Sequence, residues 1–272
     1  MKVLITGKHG QLARCLDDCA AKFPMLSLIF AARSGAEINL DLEAEASLRL
    51  AVQTVQPNVI INAAAYTQVD RAEDEPEAAM QINGVAPGIL AEEANKCGAV
   101  IIQISTDYVF DGTSDHPYKP TDQTNPTSTY GASKLKGELA VSNATDDFIT
   151  IRTAWVYSSY GKNFYKKMLS LAQTESKIEV VDDQIGNPTH AHDLALRLLG
   201  ICKDLRDGDK TLLGTVQHFV GPDEMTWFDF ARQIFVDNDI DCIVKPTTTD
   251  QMKKKLKLKA NRPANSRLTS TI

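Results

Sequence analysis

The residues best suited to chemistry in this 272-residue chain are a tyrosine and a lysine four positions apart, Tyr130 and Lys134. On a helix, positions i and i+4 lie on one face, so both side chains would point at the same ligand. A nearby ammonium group lowers the pKa of a phenol, which would make Tyr130 a usable proton donor to a carbonyl oxygen. The same lysine could hold the ribose hydroxyls of a nicotinamide cofactor.

The position of this pair in the chain strengthens the prediction, because Tyr-x-x-x-Lys alone is frequent by chance. A strand, Val100 to Ile104, precedes it and places Ser105-Thr-Asp-Tyr108 at its carboxyl end. Ligands of open α/β sheets bind at that edge. Thr106 could therefore donate a hydrogen bond to the same carbonyl oxygen, and we predict Tyr130, Lys134 and Thr106 as the catalytic residues.

A glycine-containing turn follows the first predicted strand. Gly7-Lys-His-Gly10-Gln11-Leu12-Ala13 is a Gly-x-x-Gly-x-x-Ala version of the dinucleotide fingerprint, lying between the apolar run Val3–Ile5 and a helix from Gln11. Glycine permits the tight turn and lets backbone N–H groups approach a pyrophosphate at the helix N-terminus. The alternative, a glycine that merely ends a strand, is less favoured at the first β-to-α turn of an alternating chain.

The end of the second predicted strand bears on which cofactor binds. Proteins that prefer NAD usually place a carboxylate there, to accept from the ribose 2′-hydroxyl. Here the sequence is Ala31-Ala-Arg33-Ser34, and an arginine beside a hydroxyl suits a 2′-phosphate. We therefore predict NADPH as the cofactor, with NADH possible; the alternative for Arg33 is an exposed loop cation.

Apolar strands alternate with helical patterns through the first 154 residues. The strands do not alternate apolar with polar residues, as expected where helices cover both faces of a parallel sheet. The predicted strands are Leu26–Ala32, Val59–Ile61, Val100–Ile104 and Ile149–Thr153, with helices Leu42–Val55 and Ala78–Lys96. We predict an α/β fold, a Rossmann-type doubly wound parallel sheet with a smaller C-terminal substrate lobe: residues 1–154 bind NAD(P), and residues 155–272 mainly form the lobe, with segments returning to the sheet.

The composition is that of a soluble globular protein, with 43% hydrophobic and 24% charged residues. No apolar run approaches the roughly 20 residues that cross a bilayer, and a signal peptide is absent, so we expect a cytoplasmic protein without a membrane partner. The net charge of −6 argues against nucleic acid as a partner.

Five scattered cysteines predict reduced thiols. The basic run Lys253–Lys259 is interpreted as a solvated helix face, with a phosphate or nucleic-acid site as the alternative.

Six motifs together resemble the dTDP-4-dehydrorhamnose reductase family. In order they are Gly7-x-x-Gly-Gln-Leu12, Asn62-Ala-Ala-Ala-Tyr-Thr-x-Val-Asp70, Ser105-Thr-Asp-Tyr-Val-Phe-Asp-Gly112, Tyr130-Gly-x-x-Lys134, Arg152-Thr-x-Trp-Val-Tyr157 and Arg262-Pro-x-Asn-Ser266. The resemblance extends from Met1 to about Leu268. It implies NAD(P)H-dependent reduction at C4 of the nucleotide sugar dTDP-6-deoxy-L-lyxo-4-hexulose, which gives dTDP-L-rhamnose.

The resemblance also implies a role for individual residues. Tyr130 is the proton donor, Lys134 its partner, and Thr106 tunes the pair. The residues that it implies at the nucleotide sugar are Thr106, Asp107, Trp155, Arg262, Asn265 and Ser266. Those that it implies at the cofactor, besides Tyr130 and Lys134, are Gly10, Gln11, Leu12, Asp41, Leu42, Ala65, Tyr66 and Thr67. The alternatives are a lobe-packing aromatic for Trp155 and a surface salt bridge for Arg262.

Two departures from the family pattern change what is expected. Some members bind Mg²⁺ at a dimer interface through glutamates, where this chain has Cys15 and His192-Asp193. We therefore expect no metal, and a monomer or weak homodimer. Members also usually continue past the position of Ile272 through another helix, which predicts a weaker lobe here.

Two other functions stay open at the level of sequence. The regulatory subunit of methionine adenosyltransferase is a non-catalytic relative that binds NADP, and the early end of the chain favours it slightly. Epimerases and dehydratases of the same superfamily are the second possibility. Dehydratases usually carry an Asp-Glu acid/base pair after the active-site threonine, where this chain has Asp107-Tyr108.

Overall fold

The computed structural model describes residues 1–272, in which strands and helices alternate along the first 154 residues as the sequence predicts. The first elements are β1 (Lys2–Thr6), α1 (Gln11–Cys19), β2 (Ser27–Ala32), β3 (Ile38–Asn39), α2 (Glu45–Val55), β4 (Val59–Asn62), α3 (Val69–Ala72), α4 (Pro76–Met80), α5 (Ala86–Cys97), β5 (Val100–Thr106), α6 (Thr129–Ala144) and β6 (Phe148–Thr153). None of the helices in the structure combines the length and the apolar character that a membrane crossing requires.

Among the remaining elements, one strand joins the main sheet and one helix packs against it. The elements after β6 are β7 (Val156–Tyr157), α7 (Phe164–Leu171), β8 (Lys177–Val181), β9 (Ile185–Gly186), β10 (Thr189–His190), α8 (Ala191–Arg206), β11 (Thr215–His218), β12 (Met225–Thr226), α9 (Trp227–Asp237), β13 (Ile243–Thr247) and α10 (Thr249–Leu256). Strand β11 pairs with β6, and α8 packs against α1. Helices α7 and α9 enclose a separate core with the β8–β13 pair.

The main sheet has seven parallel strands in the order β11-β6-β5-β4-β1-β2-β3. The strand order reverses between β1 and β4, and the crevice outside the carboxyl ends of strands at such a point is where α/β sheets bind ligands. The predicted Rossmann-type fold is confirmed.

Strand β1 shows why its sequence is continuously apolar. Val3 and Ile5 face a core that includes α1 and α8, whereas Leu4 faces a second core that includes α2 and α5. All three are fully buried because helices cover both faces of the sheet. Because β1 runs parallel to its neighbours β2 and β4, the glycine turn after it lies at the carboxyl edge of the sheet.

Two helices differ from the predicted boundaries. Helix α2 begins at Glu45 rather than Leu42, because the Asp41 carboxylate accepts from the backbone N–H of Glu43 and holds a turn there. The helix predicted over Ala78–Lys96 is α4 and α5 joined by a π-helical turn, Gln81–Val85. Pro87 has no N–H for the usual bond to residue 83, and the wider turn lies just before it.

Candidate active site

A cavity of about 1050 Å³ lies in the crevice at the carboxyl ends of β1, β4 and β5. Its volume reaches the upper end of the ~300–1,000 Å³ typical of ligand sites, which suits an extended dinucleotide. The predicted site residues that line it are Gly7, Gly10, Gln11, Leu12, Arg33, Ser34, Asp41, Leu42, Ala65, Thr67, Thr106, Asp107, Tyr130, Lys134 and Trp155. Residues far apart in the chain thus meet in one space.

The glycine turn leaves the N-terminus of α1 open towards this cavity. Gly7 has φ +80°, a left-handed conformation that favours glycine, and a Cβ there would lie 3.0 Å from Ala64 of the neighbouring strand end. Gly10 is the N-cap of α1, and no side chain caps the helix. The first backbone N–H groups of α1 therefore remain available for an anion such as a pyrophosphate.

The predicted 2′-phosphate contact, Arg33, is a largely exposed side chain at the far end of the cavity. Its guanidinium lies 3.4 Å from the Glu43 carboxylate, and Glu43 also lines the cavity. The sequence at the strand end gave no sign of this carboxylate, because Glu43 arrives from the following loop. At a ribose 2′ position the two side chains would be rivals, the cation favouring a phosphate and the anion a hydroxyl.

Replacing Arg33 by alanine should raise KM for NADPH about tenfold or more while changing KM for NADH little. The reason is the loss of a charge-assisted contact worth roughly 1.5–3 kcal/mol. Glu43→Gln is the matched control, because removing the rival anion should strengthen NADPH binding instead. Steady-state kinetics with both cofactors measure the ratio, and equal losses for both would show that Arg33 does not read the 2′ position.

Tyr130, Lys134 and Thr106 meet at the inner part of the cavity, where the start of α6 crosses the end of β5. The Lys134 ammonium donates to the carbonyl oxygen of Ile104 at 2.6 Å, and no hydrogen bond joins it to Tyr130. The Thr106 hydroxyl contacts the Tyr130 phenol and donates to Asp107 Oδ1 at 2.8 Å. The Thr106 hydroxyl, which was expected to donate to the substrate carbonyl oxygen, therefore donates to Asp107 in this structure.

The pKa of the phenol corrects one expectation. Burial raises the pKa of Tyr130 to about 12. The Thr106 contact opposes this rise, and Lys134 does not contribute to the pKa of the phenol. Burial also lowers the pKa of Lys134 to about 8. At neutral pH the phenol is thus fully protonated and the lysine mostly charged, which is the pair of states that a proton donor and its partner need.

Asp107 contributes a buried carboxylate to the same wall. It is 3% exposed and lines the cavity, and its Oδ2 has no hydrogen-bond partner by geometry although the Ser266 hydroxyl lies near the carboxylate. Burial raises the pKa of Asp107 to about 6. A buried polar atom without a partner is costly, so a ligand hydroxyl that reached this oxygen would remove the cost.

Trp155 is held in a strained conformation at the opposite side of the cavity. Its φ is +48°, its indole stacks on that of Trp227 at 3.5 Å between ring centroids, and its Nε1 donates to Ser266 Oγ at 3.1 Å. Gly186 faces the indole where any Cβ would collide with it. No sequence motif pointed to Trp227 or Gly186, because each reaches Trp155 only through the folding of the lobe.

A second cavity of about 730 Å³ adjoins the first and shares Tyr108, Phe164 and Trp227 with it. Basic side chains dominate its charged lining: Lys167, Lys177, Lys253, Lys255 and Arg262, against Asp70, Glu175 and Glu179. Two lysines of the run interpreted as a solvated helix face thus line a cavity. Arg262 lies here rather than in the first cavity, and donates to the Asp70 carboxylate with Nη2–Oδ2 at 2.5 Å.

Three residues predicted to contact ligands lie behind the cavity walls. The Tyr66 phenol donates to Glu75, and its backbone N–H and carbonyl are both bound by Asn83. Asn265 donates to the carbonyls of Ser114 and His116, bracing the loop before α6. Ser266 supports Trp155 instead of a ligand. Each was predicted as a member of a motif that the resemblance carries, and residues of one motif need not point in one direction.

Magnesium removal should leave the protein unchanged. Burial, with Asp18 nearby, raises the pKa of the Cys15 thiol to about 11, so this residue stays neutral, and Mg²⁺ selects charged or polar oxygen ligands. We expect equal activity before and after EDTA treatment, and the same sedimentation profile with and without Mg²⁺. A loss of activity or assembly that added Mg²⁺ restores would instead point to other carboxylates, such as Asp17 or Asp18.

A parallel sheet with a glycine turn after its first strand and a Tyr–Lys pair in its crevice is the architecture of short-chain dehydrogenases, and this is the class that fold and site define. A family model described as "RmlD substrate binding domain" matches residues 1–272. The chain is 38% identical over 268 residues to a dTDP-4-dehydrorhamnose reductase of Sinorhizobium fredii, covering 98% of this chain and 88% of that protein. The chain belongs to the dTDP-4-dehydrorhamnose reductase family.

Solved structures support the same assignment. The dTDP-4-dehydrorhamnose reductase of Clostridium acetobutylicum superposes with a TM-score of 0.90 at 36% identity, covering 99% of this chain and 90% of that one. The Bacillus anthracis enzyme, solved in complex with NADP, gives a TM-score of 0.89 at 32% identity with the same coverage. A Thermus thermophilus UDP-glucose 4-epimerase is only 16% identical, and its TM-score of 0.79 shows the shared fold alone.

Proposed function

We propose that this protein reduces the C4 keto group of dTDP-4-dehydro-L-rhamnose to give dTDP-L-rhamnose, with NADPH as the hydride source and Tyr130 as the proton donor. The observation that carries the proposal is the joining of two cavities. A dinucleotide-sized crevice contains the Tyr130–Lys134 pair, and a basic cavity opens beside it through Tyr108, Phe164 and Trp227. Cofactor and nucleotide sugar would meet where these cavities join.

The crevice fits NADPH in several respects. The open N-terminus of α1 would bind the pyrophosphate, Arg33 and Ser34 would face the 2′-phosphate, and Lys134 would hold the nicotinamide ribose. NADPH, when bound, supplies a hydride to the carbonyl carbon. The proposal is supported by the NADP complex of the Bacillus anthracis relative.

Tyr130 would transfer its phenolic proton to the C4 oxygen as that oxygen gains charge. The high pKa of the phenol keeps it protonated until then. Lys134, held 2.6 Å from the Ile104 carbonyl, would stabilise the phenolate that remains. Thr106 would orient the phenol, and its bond to Asp107 fixes its own hydroxyl. Asp107 Oδ2, without a protein partner, would accept from a sugar hydroxyl.

The second cavity would take the nucleotide and its diphosphate. Arg262 and the lysines Lys167, Lys177, Lys253 and Lys255 supply positive charge there, and Met168, Leu171 and Ile178 supply apolar surface for a base. Trp155 and Trp227 would form the wall against which the sugar packs. Residues 155–272 would thus mainly bind substrate, while α8 and β11 belong to the cofactor unit.

The dehydratase alternative is less favoured by the site. In place of a second acid the chain has Tyr108, and burial raises the pKa of this phenol well above its ordinary value. It packs edge-on against Tyr130 with 5.5 Å between ring centroids. A phenol that stays protonated can donate a proton but cannot accept one, so Tyr108 cannot be the base of such an acid/base pair.

The test is NADPH oxidation with a panel of 4-keto sugar nucleotides, dTDP-4-dehydro-L-rhamnose first, against the same panel with NADH. One NADPH consumed for each dTDP-L-rhamnose formed would support the enzyme. Tight NADP binding without any turnover on the panel would support the non-catalytic relative instead.

A cytoplasmic location and a monomer or weak homodimer complete the proposal. Sedimentation at several protein concentrations checks the oligomeric state.

A further inference from the structure

We propose that Glu138, which no part of the proposed mechanism uses, is a positioning residue of the reaction: it holds Lys134 and the Ser105–Thr106 strand end in the geometry that proton transfer needs. The inference rests on the proposed function. Glu138 touches neither cavity, and would act through the residues it binds.

Helix α6 contacts the end of β5 through three side chains spaced four residues apart. Tyr130 contacts Thr106, Lys134 donates to the carbonyl of Ile104, and Glu138 accepts from the Ser105 hydroxyl in a short hydrogen bond. Residues at i, i+4 and i+8 lie along one helix face, so three side-chain contacts join the helix to the strand. The Glu138 contact is the one farthest from the cavity.

Two glycines bring the helix close enough for these contacts. A Cβ on Gly131 would collide with the carbonyl oxygen of Tyr108, and one on Gly137 would collide with that of Asn83. The backbone of α6 is thus clamped on both sides of Lys134. Small displacements of the helix would be passed directly to the lysine and the tyrosine, and a misplacement of about 1 Å can cost on the order of 10² in rate.

Glu138 also ties α6 to the next strand, β6. Arg152 Nη2 donates to Glu138 Oε2 at 2.7 Å and its Nε to Oε1 at 3.0 Å, and each side chain is 5% exposed. Arg152 lies beside Ser105 in the sheet register, so one carboxylate links the helix to both strands. Buried ion pairs stabilise little more than apolar residues of the same shape, so stability alone does not explain the pair.

The carboxylate also acts on Lys134 electrostatically. Burial lowers the pKa of Lys134, and Glu138 is the group that opposes this change. Tyr130, Asp107 and Tyr108 line the cavity together with Lys134, Arg152 pairs with Glu138 from β6, and Glu73 binds Thr129 at the start of α6. Neutralising Glu138 should therefore let Lys134 lose its proton at lower pH.

Two variants test the role. Glu138→Gln keeps the size and the Ser105 bond but leaves Arg152 buried without its partner, and this variant could fail to fold. Glu138→Gln with Arg152→Gln removes both charges and avoids that problem. The matched control is Glu93→Gln, because Glu93 is also buried and ion-paired, to Arg49 and Lys96, but lies in α5 away from both cavities.

We expect the double variant to lose about tenfold to a hundredfold in kcat, with KM for the sugar nucleotide nearly unchanged. The alkaline limb of its pH–rate profile should move to lower pH, and the pH dependence of NADPH binding, followed by cofactor fluorescence, should move in the same direction. Glu93→Gln should lower Tm without either change. Normal kcat and unshifted profiles in a folded double variant would overturn the inference. Wild-type protein that binds NADPH but turns over no sugar would count against the proposed function alone, because the binding profile tests Glu138 independently.

Discussion

Tyr130→Phe should lower kcat by a factor on the order of 10² to 10⁴ and leave NADPH binding nearly unchanged. General acid catalysis contributes about this much, and phenylalanine keeps the ring that packs against Tyr108 while removing the proton. Rapid-mixing and steady-state assays of NADPH oxidation measure the loss. Lys134→Met should reduce both kcat and cofactor affinity, since the lysine would hold the ribose as well as the phenolate.

The matched control is Tyr165→Phe, which removes a phenol that donates to Asn238 on the surface of the lobe. It should retain wild-type kcat. Near-normal turnover in Tyr130→Phe would mean that another group, or water, protonates the C4 oxygen, and the catalytic assignment would then be wrong.

Arg262→Met should raise KM for the sugar nucleotide about tenfold to a hundredfold with a much smaller change in kcat. The guanidinium lines the basic cavity, and a charge-assisted contact to a diphosphate is worth roughly 1.5–3 kcal/mol. Binding should also become less dependent on salt, because a charge pair has been removed. Titration with dTDP alone measures the same contact without turnover.

Asp70→Asn is the control for this prediction, because Arg262 donates to both Asp70 oxygens in the structure. Asparagine keeps the shape that accepts from the backbone of Lys259 and Ala260 but removes the competing charge. This variant should bind dTDP at least as tightly as wild type. If Arg262→Met lowers Tm without weakening dTDP binding, the pair only fastens the 259–262 segment to α3.

The parts of the site that could be predicted from sequence are those with a local signature. The glycine turn after β1 and the Tyr130–Lys134 spacing each depend on a few adjacent residues, and the strand alternation places them at one edge. The unpredicted parts depend on contacts between distant segments. Glu43 meets Arg33 from a loop, and Trp227 reaches Trp155 from α9.

The pKa values of the site residues could not be predicted from the sequence either. The spacing of Tyr130 and Lys134 predicted a lysine that lowers the phenol pKa, but burial, which depends on the whole fold, acts in the opposite direction. The hydrogen-bond partners of Asn265 and Ser266 also depend on the whole fold, although their motif predicted ligand contacts. Their side chains are occupied by Ser114, His116 and Trp155, and no pattern within the motif reveals those partners.

A deuterium-transfer experiment tests C4 reduction. The protein would be given NADPH with deuterium in place of both hydrogens at C4 of the nicotinamide, together with dTDP-4-dehydro-L-rhamnose, and the product would be analysed by NMR and mass spectrometry. We expect dTDP-L-rhamnose with one deuterium at C4 of the sugar and an equal amount of NADP⁺. A product labelled at another carbon, an unlabelled epimer, or NADPH recovered unchanged would contradict C4 reduction in this active site.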